Sequence, residues 1–282
     1  VQPTHGLITT IAAEHLEKLI DLDGVEKEET ALFDYLNDHG GVALVNVDDE
    51  RLRGYATGSA VNALGSKVVS FGLEQPADIH PTVEFDDELH QIMHILKYDF
   101  TFRAPIQTVG LASALNATAA MAVAWVLGIG SELTRRGLTS YEPPTSTSYA
   151  RMRVQHIGPL TVLNDSYNAN PESMSLSLRT LQMYPAKRRI AVLGDMRELG
   201  EGAQEEHKKI LVQAMSAADI VMLYGPEFTA IVGENGVAFS DHEELASRLK
   251  EVGQQGDVVL LKGSRGLEME KVLAALVHLH EE

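Results

Sequence analysis

From Pro159 onward the chain repeats one pattern: a short continuous apolar run, a polar turn, then an amphipathic stretch. Apolar runs without polar alternation read as strands buried on both faces. These runs are Pro159–Asn164, Arg189–Gly194, Asp219–Leu223 and Asp257–Leu261, and Pro171–Leu181, Gln204–Ala217, Glu243–Val252 and Leu267–Leu279 read as the helices between and after them. A parallel neighbour is reached only by a crossover long enough to hold a helix, so this alternation predicts βαβ units. The expectation is a parallel sheet covered by helices on both faces, over about residues 145–282. Asn170 reads as a helix N-cap and Pro171 as a first-turn residue.

The first half mixes its signals. His5–Ile11, Val42–Val47 and Lys67–Phe71 are strand-like, and Gly24–His39 is helical with Leu32, Phe33 and Leu36 on one side. Thr82–Pro105 suggests shorter antiparallel strands, with a helix as the alternative, and Asn116–Leu127 is an Ala-rich helix. Tyr141–Ser148, with two prolines and a Ser/Thr run, reads as a linker. The expected division is therefore 1–144 and 145–282.

Composition removes several function classes. The 282 residues hold no cysteine, so disulfides, Cys-ligated metals and a Cys nucleophile are excluded. That usage fits a reducing compartment, and the cytoplasm is the expected location. A net charge of −17 argues against a nucleic-acid partner, which needs a basic stripe. The longest apolar run, near Ala117–Leu127, is too short to span a bilayer, and the start does not read as a secretory signal.

Four segments could carry chemistry. Lys262-Gly-Ser-Arg265 lies between an expected strand and an expected helix, where free amides, the positive helix end and two cations suit an anion. The bland reading is a helix start with solvated basic residues. Asp165-Ser-Tyr-Asn-Ala-Asn170 follows a parallel strand at its carboxyl end, where open α/β sheets bind ligands, although Asp and Asn also favour loops for turn chemistry alone. Gly194–Gly200 also follows a strand, and its Asp195 is either a ligand contact or a helix-entry residue. His90 and His94 would share a helical face but lack the zinc-protease glutamate. His15 with Glu17 is a better hard-metal pair, and Glu26–Glu29 reads most simply as a solvated first helical turn. These residues contain no Gly-x-x-x-x-Gly-Lys-Ser/Thr phosphate loop, no Gly-x-Ser-x-Gly elbow and no Gly-x-Gly-x-x-Gly fingerprint.

Asn164-Asp-Ser-Tyr-Asn-Ala-Asn-Pro-Glu-Ser-Met174, Ile190-Ala-Val-Leu-Gly-Asp-Met-Arg-Glu-Leu-Gly200, His207 and Lys262-Gly-Ser-Arg265 occur in an order and spacing that resemble the Mur ligases of peptidoglycan synthesis. Ile8–Glu17, Asn46-Val-Asp-Asp49 and Asn116-Ala-Thr-Ala-Ala120 resemble the same family, so the likeness spans nearly the whole chain.

The resemblance implies an α/β chain: the remainder of a central ATPase domain, then a C-terminal Rossmann-like parallel-sheet domain. It implies a monomeric, ATP- and Mg2+-dependent ligase that adds D-alanyl-D-alanine to UDP-N-acetylmuramoyl-tripeptide through an acyl phosphate. His15 would then ligand magnesium. Glu29 falls where the family has a carbamylated lysine and would supply the second metal ligand. Asn116 would approach the adenine, and Arg151 and Asp165 the nucleotide. Asn168, Asn170, Asp195 and Ser264 would line the site of the incoming dipeptide, with Lys262 and Arg265 as catalytic cations. Gly110-Leu-Ala-Ser113 departs from the family's Gly-x-His-Asn. The family's phosphate loop would lie upstream of His5, so these residues alone are expected not to turn over ATP. Two other readings are a non-catalytic Mur-like binding module and a Mur-type ligase for a different amino acid.

Overall fold

The structure, a computed structural model, describes residues 2–12, 21–56, 67–86, 90–142, 151–232 and 237–281. They separate into two compact units, one of residues 1–107 with 113–142, the other of residues 108–112 with 143–282. Most of the expected linker, from Pro143 to Ser148, lies outside the described residues.

The first unit holds two small sheets. Strands β1 (His5–Ile8), β2 (Val42–Asn46) and β3 (Lys67–Phe71) are parallel, with β2 in the middle. The Leu22–Asp38 helix makes the β1–β2 crossover, and Asp21 starts it by accepting the Gly24 amide at 2.8 Å. Its Val25, Phe33 and Leu36 are buried with Ile8, Ala43 and Val45 of the sheet. Strands β4 (Thr82–Phe85), β5 (Gln91–Ile95) and β6 (Phe102–Ile106) form an antiparallel meander, so the helical alternative for this stretch falls away. On an extended chain His90 and His94 stand about 13 Å apart, too far to share one ion. The Ala-rich helix runs from Leu111 to Val126, five residues earlier than expected, and its Ala114, Met121 and Ala122 pack with Met93, Ile95 and Phe102. Helices Glu50–Ala56 and Ser131–Ser140 were not foreseen.

The second unit is a six-stranded sheet in the order β11-β10-β9-β12-β8-β7. These strands are β7 (Arg153–Ile157), β8 (Leu160–Asp165), β9 (Arg188–Gly194), β10 (Ile220–Tyr224), β11 (Ala238–Phe239) and β12 (Asp257–Lys262). All pairs are parallel except β7 with β8. Val162, Ile190, Val192, Val259 and Leu261 pack on Leu245, Leu249, Val272 and Leu276 of helices His242–Val252 and Glu270–Glu281. The alternate residues Leu163, Ala191, Leu193 and Leu260 are equally buried, on the face covered by helices Pro171–Met183 and Ala203–Ala217. Burial on both faces is why these strands lack polar alternation.

The crossover from β8 to β9 passes over β12, which inserts between them last. At their carboxyl ends the chain leaves β8 for one face and β12 for the other. Adjacent strands whose connections diverge in this way leave a crevice between them. The closing helix begins at Glu270, not Leu267 as expected. Arg265–Leu267 form a 3-10 turn, and Glu268 takes a left-handed φ of 50° that no α-helix passes through.

At the opposite edge, Arg188 and Asp257 are register partners that open β9 and β12. Arg188 donates Nη2 to Asp257 Oδ2 at 2.5 Å and Nε to Oδ1 at 3.1 Å, while the Gln254 amide reaches Oδ2 at 2.8 Å. Burial works to raise the Asp257 pKa, but the Arg188 fork and the Gln254 amide outweigh it and hold the carboxyl below its ordinary value. The folded chain thus keeps this group ionised more firmly than the unfolded chain does. Its contribution to stability is whole above the ordinary carboxylate range and is lost as pH falls below about 4. Urea midpoints measured from pH 6 to pH 3 should drop in that window, and Asp257→Asn should shrink the drop; an unchanged drop in the variant would assign it to other groups.

Candidate functional site

Strand register builds the centre of the site. Lys262, the last residue of β12, is the direct partner of Asp165, the last of β8. Paired residues of parallel neighbours point to the same face, so the two side chains must meet. Lys262 Nζ lies 2.6 Å from Asp165 Oδ2 and donates also to the Asn168 carbonyl at 2.9 Å. The Lys262 side chain is 3% exposed and that of Asp165 14%. Burying such a pair costs desolvation that only good geometry and further hydrogen bonds offset. Asp165 has both: Ser177 Oγ donates to Oδ2 at 2.7 Å and the Met152 amide to Oδ1 at 3.1 Å.

Ser264 ties in the third loop. Its amide donates to the Asp195 carbonyl at 3.0 Å, its hydroxyl accepts the Arg197 amide at 2.7 Å, and the same oxygen lies 3.3 Å from the Ala169 carbonyl. The loops after β8, β9 and β12 are thereby joined. Gly194 and Gly263 let them cross closely, since a Cβ on Gly263 would stand 3.0 Å from the Gly194 Cα.

The Asp195 carboxylate, 3% exposed, caps the short Pro226–Val232 helix by accepting the Glu227 and Phe228 amides, each at 2.9 Å. It thus starts a helix, but the one after β10 and not the Ala203–Ala217 helix that its own loop leads into. Gly225, with φ of 114°, lies directly beneath, where a Cβ would collide with this carboxylate. His207 is fully buried, and its Nε2 accepts the Met196 amide at 2.9 Å. Nδ1 is therefore the protonated nitrogen and donates to the Ala203 carbonyl at 2.7 Å. This neutral tautomer makes the 3.9 Å approach of Nε2 to Asp195 a contact and not an ion pair.

The remaining expected residues fall in different places. Asn170 caps the Pro171–Met183 helix in a reciprocal box with Ser173. Asn168 is exposed, and its Oδ1 accepts the Arg265 amide at 3.4 Å. Arg265 pairs with Glu270 at 3.0 Å. Since the closing helix starts only at Glu270, its positive end does not lie at Lys262–Arg265, and the amides of Ser264 and Arg265 already have acceptors. Exposed Arg151 stacks over the Tyr167 ring at 4.3 Å. Asn116 and Glu29 are both exposed on helices of the first unit, and His15 and Glu17 lie outside the described residues. Among the described residues no three His, Asp or Glu side chains come together as a metal site requires. Sequence reasoning missed Ser177 and the Met152 amide. A serine one helical turn after Ser173 was the available signal.

His207→Leu should strand the Met196 amide and destabilise the chain by about 1–3 kcal/mol. Chemical denaturation measures this, and a change under about 0.5 kcal/mol would contradict the assigned hydrogen bond.

A mostly parallel sheet whose carboxyl-end loops are cross-linked by a buried Lys–Asp pair, in a chain that carries a second α/β unit, defines a two-unit α/β protein. Comparison with known families makes it specific. The Mur ligase middle domain matches residues 1–124, and the Mur ligase glutamate ligase domain matches residues 150–265. The chain belongs to the Mur ligase family.

Similar curated proteins include the UDP-N-acetylmuramoyl-tripeptide–D-alanyl-D-alanine ligases of Treponema pallidum and Escherichia coli. They are 29% and 30% identical over 96% and 98% of this chain, which covers 57% and 60% of their lengths. Among solved structures, MurF ligase from Thermotoga maritima in complex with ADP superposes with a TM-score of 0.81 at 23% identity, over 99% of this chain and 62% of that one. MurF from Acinetobacter baumannii gives 0.79 at 24%, over 98% and 60%. At these identities the structural likeness speaks for the fold.

Proposed function

We propose that these residues belong to an ATP-dependent amide ligase that adds D-alanyl-D-alanine to UDP-N-acetylmuramoyl-tripeptide. The observation that carries the reading is that curated relatives bearing this activity in their names match 96–98% of the chain. The built site supports it, because the matched motifs converge on one end of the sheet. In the reaction the tripeptide carboxylate is phosphorylated by ATP, and the dipeptide amine then displaces phosphate from the acyl phosphate.

Positioning and charge compensation dominate such phosphoryl chemistry. Arg151, held over Tyr167, would meet nucleotide phosphates, and the Oδ1 side of Asp165 and exposed Asn116 would contact the nucleotide. Asn168 and Arg265, which meet across the two loops, would face the dipeptide. Lys262, Asn170, Asp195 and Ser264 shape the loops that present them, through the hydrogen bonds described above. Magnesium would offset phosphate charge when bound, with His15 and Glu29 as its proposed ligands. The described residues assemble no such cluster, and His15 lies outside them. The protein is taken to act in the cytoplasm as a monomer, and no helix among the described residues is long and apolar enough to cross a membrane.

The test is product formation by the complete reading frame that contains these residues, given ATP, magnesium, UDP-N-acetylmuramoyl-tripeptide and a panel of amines. One ADP should be released per D-alanyl-D-alanine adduct, detected by mass. Preference for a single amino acid would point to a different ligase of the family. Absence of any ATP-dependent adduct would point to the non-catalytic module.

A further inference from the structure

The helix that follows the Asp165–Asn170 loop carries serines at 173, 175 and 177, and Ser173 and Ser177 are one turn apart on one face. Ser173 is committed to Asn170 in the capping box. Ser177 is 4% exposed, with Oγ 2.7 Å from Asp165 Oδ2 and 2.8 Å from the Ser173 carbonyl. A hydroxyl has one proton, and both neighbours are acceptors. Directing the proton at Ser173 would leave two electron-rich oxygens 2.7 Å apart. Directing it at Asp165 gives a charge-assisted bond, so the proton belongs there.

We propose that Ser177 is a positioning residue for the ligation reaction, fixing the rotation of the Asp165 carboxylate. Ser177 and Lys262 both load Oδ2, while among the described residues Oδ1 takes only the Met152 amide, at 3.1 Å, and keeps accepting capacity for a ligand. Lys262 supplies charge but sits on a flexible four-carbon stem. The Ser177 hydroxyl, on a short side chain of a capped helix, supplies the direction. Without it the carboxylate can turn about its Cβ–Cγ bond while its charge remains paired. Ligand binding through Oδ1 then weakens, and the chemical step is untouched.

This role rests on the ligase reading and on Asp165 as a nucleotide contact. Steady-state kinetics of the complete reading frame, with ATP varied at saturating co-substrates, tests it in Ser177→Ala and Ser177→Thr. The alanine variant should raise KM for ATP about tenfold with kcat held within about twofold, as loss of a hydrogen bond to a charged group in binding alone predicts. Threonine keeps the hydroxyl and should restore KM. An unchanged KM in the alanine variant, a fall in kcat at constant KM, or equal impairment of both variants would overturn the proposal. Failure of the unmodified protein to form an adduct would overturn the ligase reading and this role with it, a result distinct from an active enzyme indifferent to Ser177.

Discussion

The buried ion pair between Lys262 and Asp165 is the contact on which the ligand end of the second unit depends. It exists because β12 enters the sheet beside β8 in a register that makes these two residues partners. Neither charge could be buried alone, since an unpaired ion in a low-dielectric interior costs several kcal/mol. Each therefore fixes the other, and the Asn168 carbonyl, the Met152 amide and the Ser177 hydroxyl complete the arrangement.

The same economy appears at the neighbouring loops. Asp195 looks like a free acid at a strand end, yet it holds the start of a helix about thirty residues further on. His207 supports the loop after β9 from below in its neutral form. These groups set the shape of the loops, while Arg151, Asn168 and Arg265 lie further out. The overall charge of −17 gives the cations Arg151 and Arg265 weight in the proposed function, since an anionic nucleotide bound there would be held against the field of the whole chain.

Much of this was legible in the sequence, for physical reasons. The central strands of the second unit are buried on both faces, which forces continuous apolar runs that cannot be mistaken for amphipathic helices of that length. Asn170-Pro171 announced its helix because capping chemistry is local. What stayed hidden depends on distant partners or unusual backbone. Strand β7 is a half-exposed edge, Arg-Val-Gln-His-Ile, with too little apolar pattern to stand out. The delayed start of the last helix turns on the left-handed backbone of Glu268. That Lys262 is sequestered follows from strand order, which spacing along the chain does not encode. Ser177 was hidden because serine on a helix is ordinarily neutral, and its partner twelve residues earlier is revealed only by the fold.

The most direct test of this account is a double-mutant cycle on the stability of the chain, with Asp165→Asn, Lys262→Met and the pair together. If the two side chains neutralise each other in the interior, the single variants should each be costly and the double variant much less than their sum, with a coupling of about 1–3 kcal/mol. Additive effects, with coupling near zero, would contradict the claim that this pair sets the ligand end of the sheet.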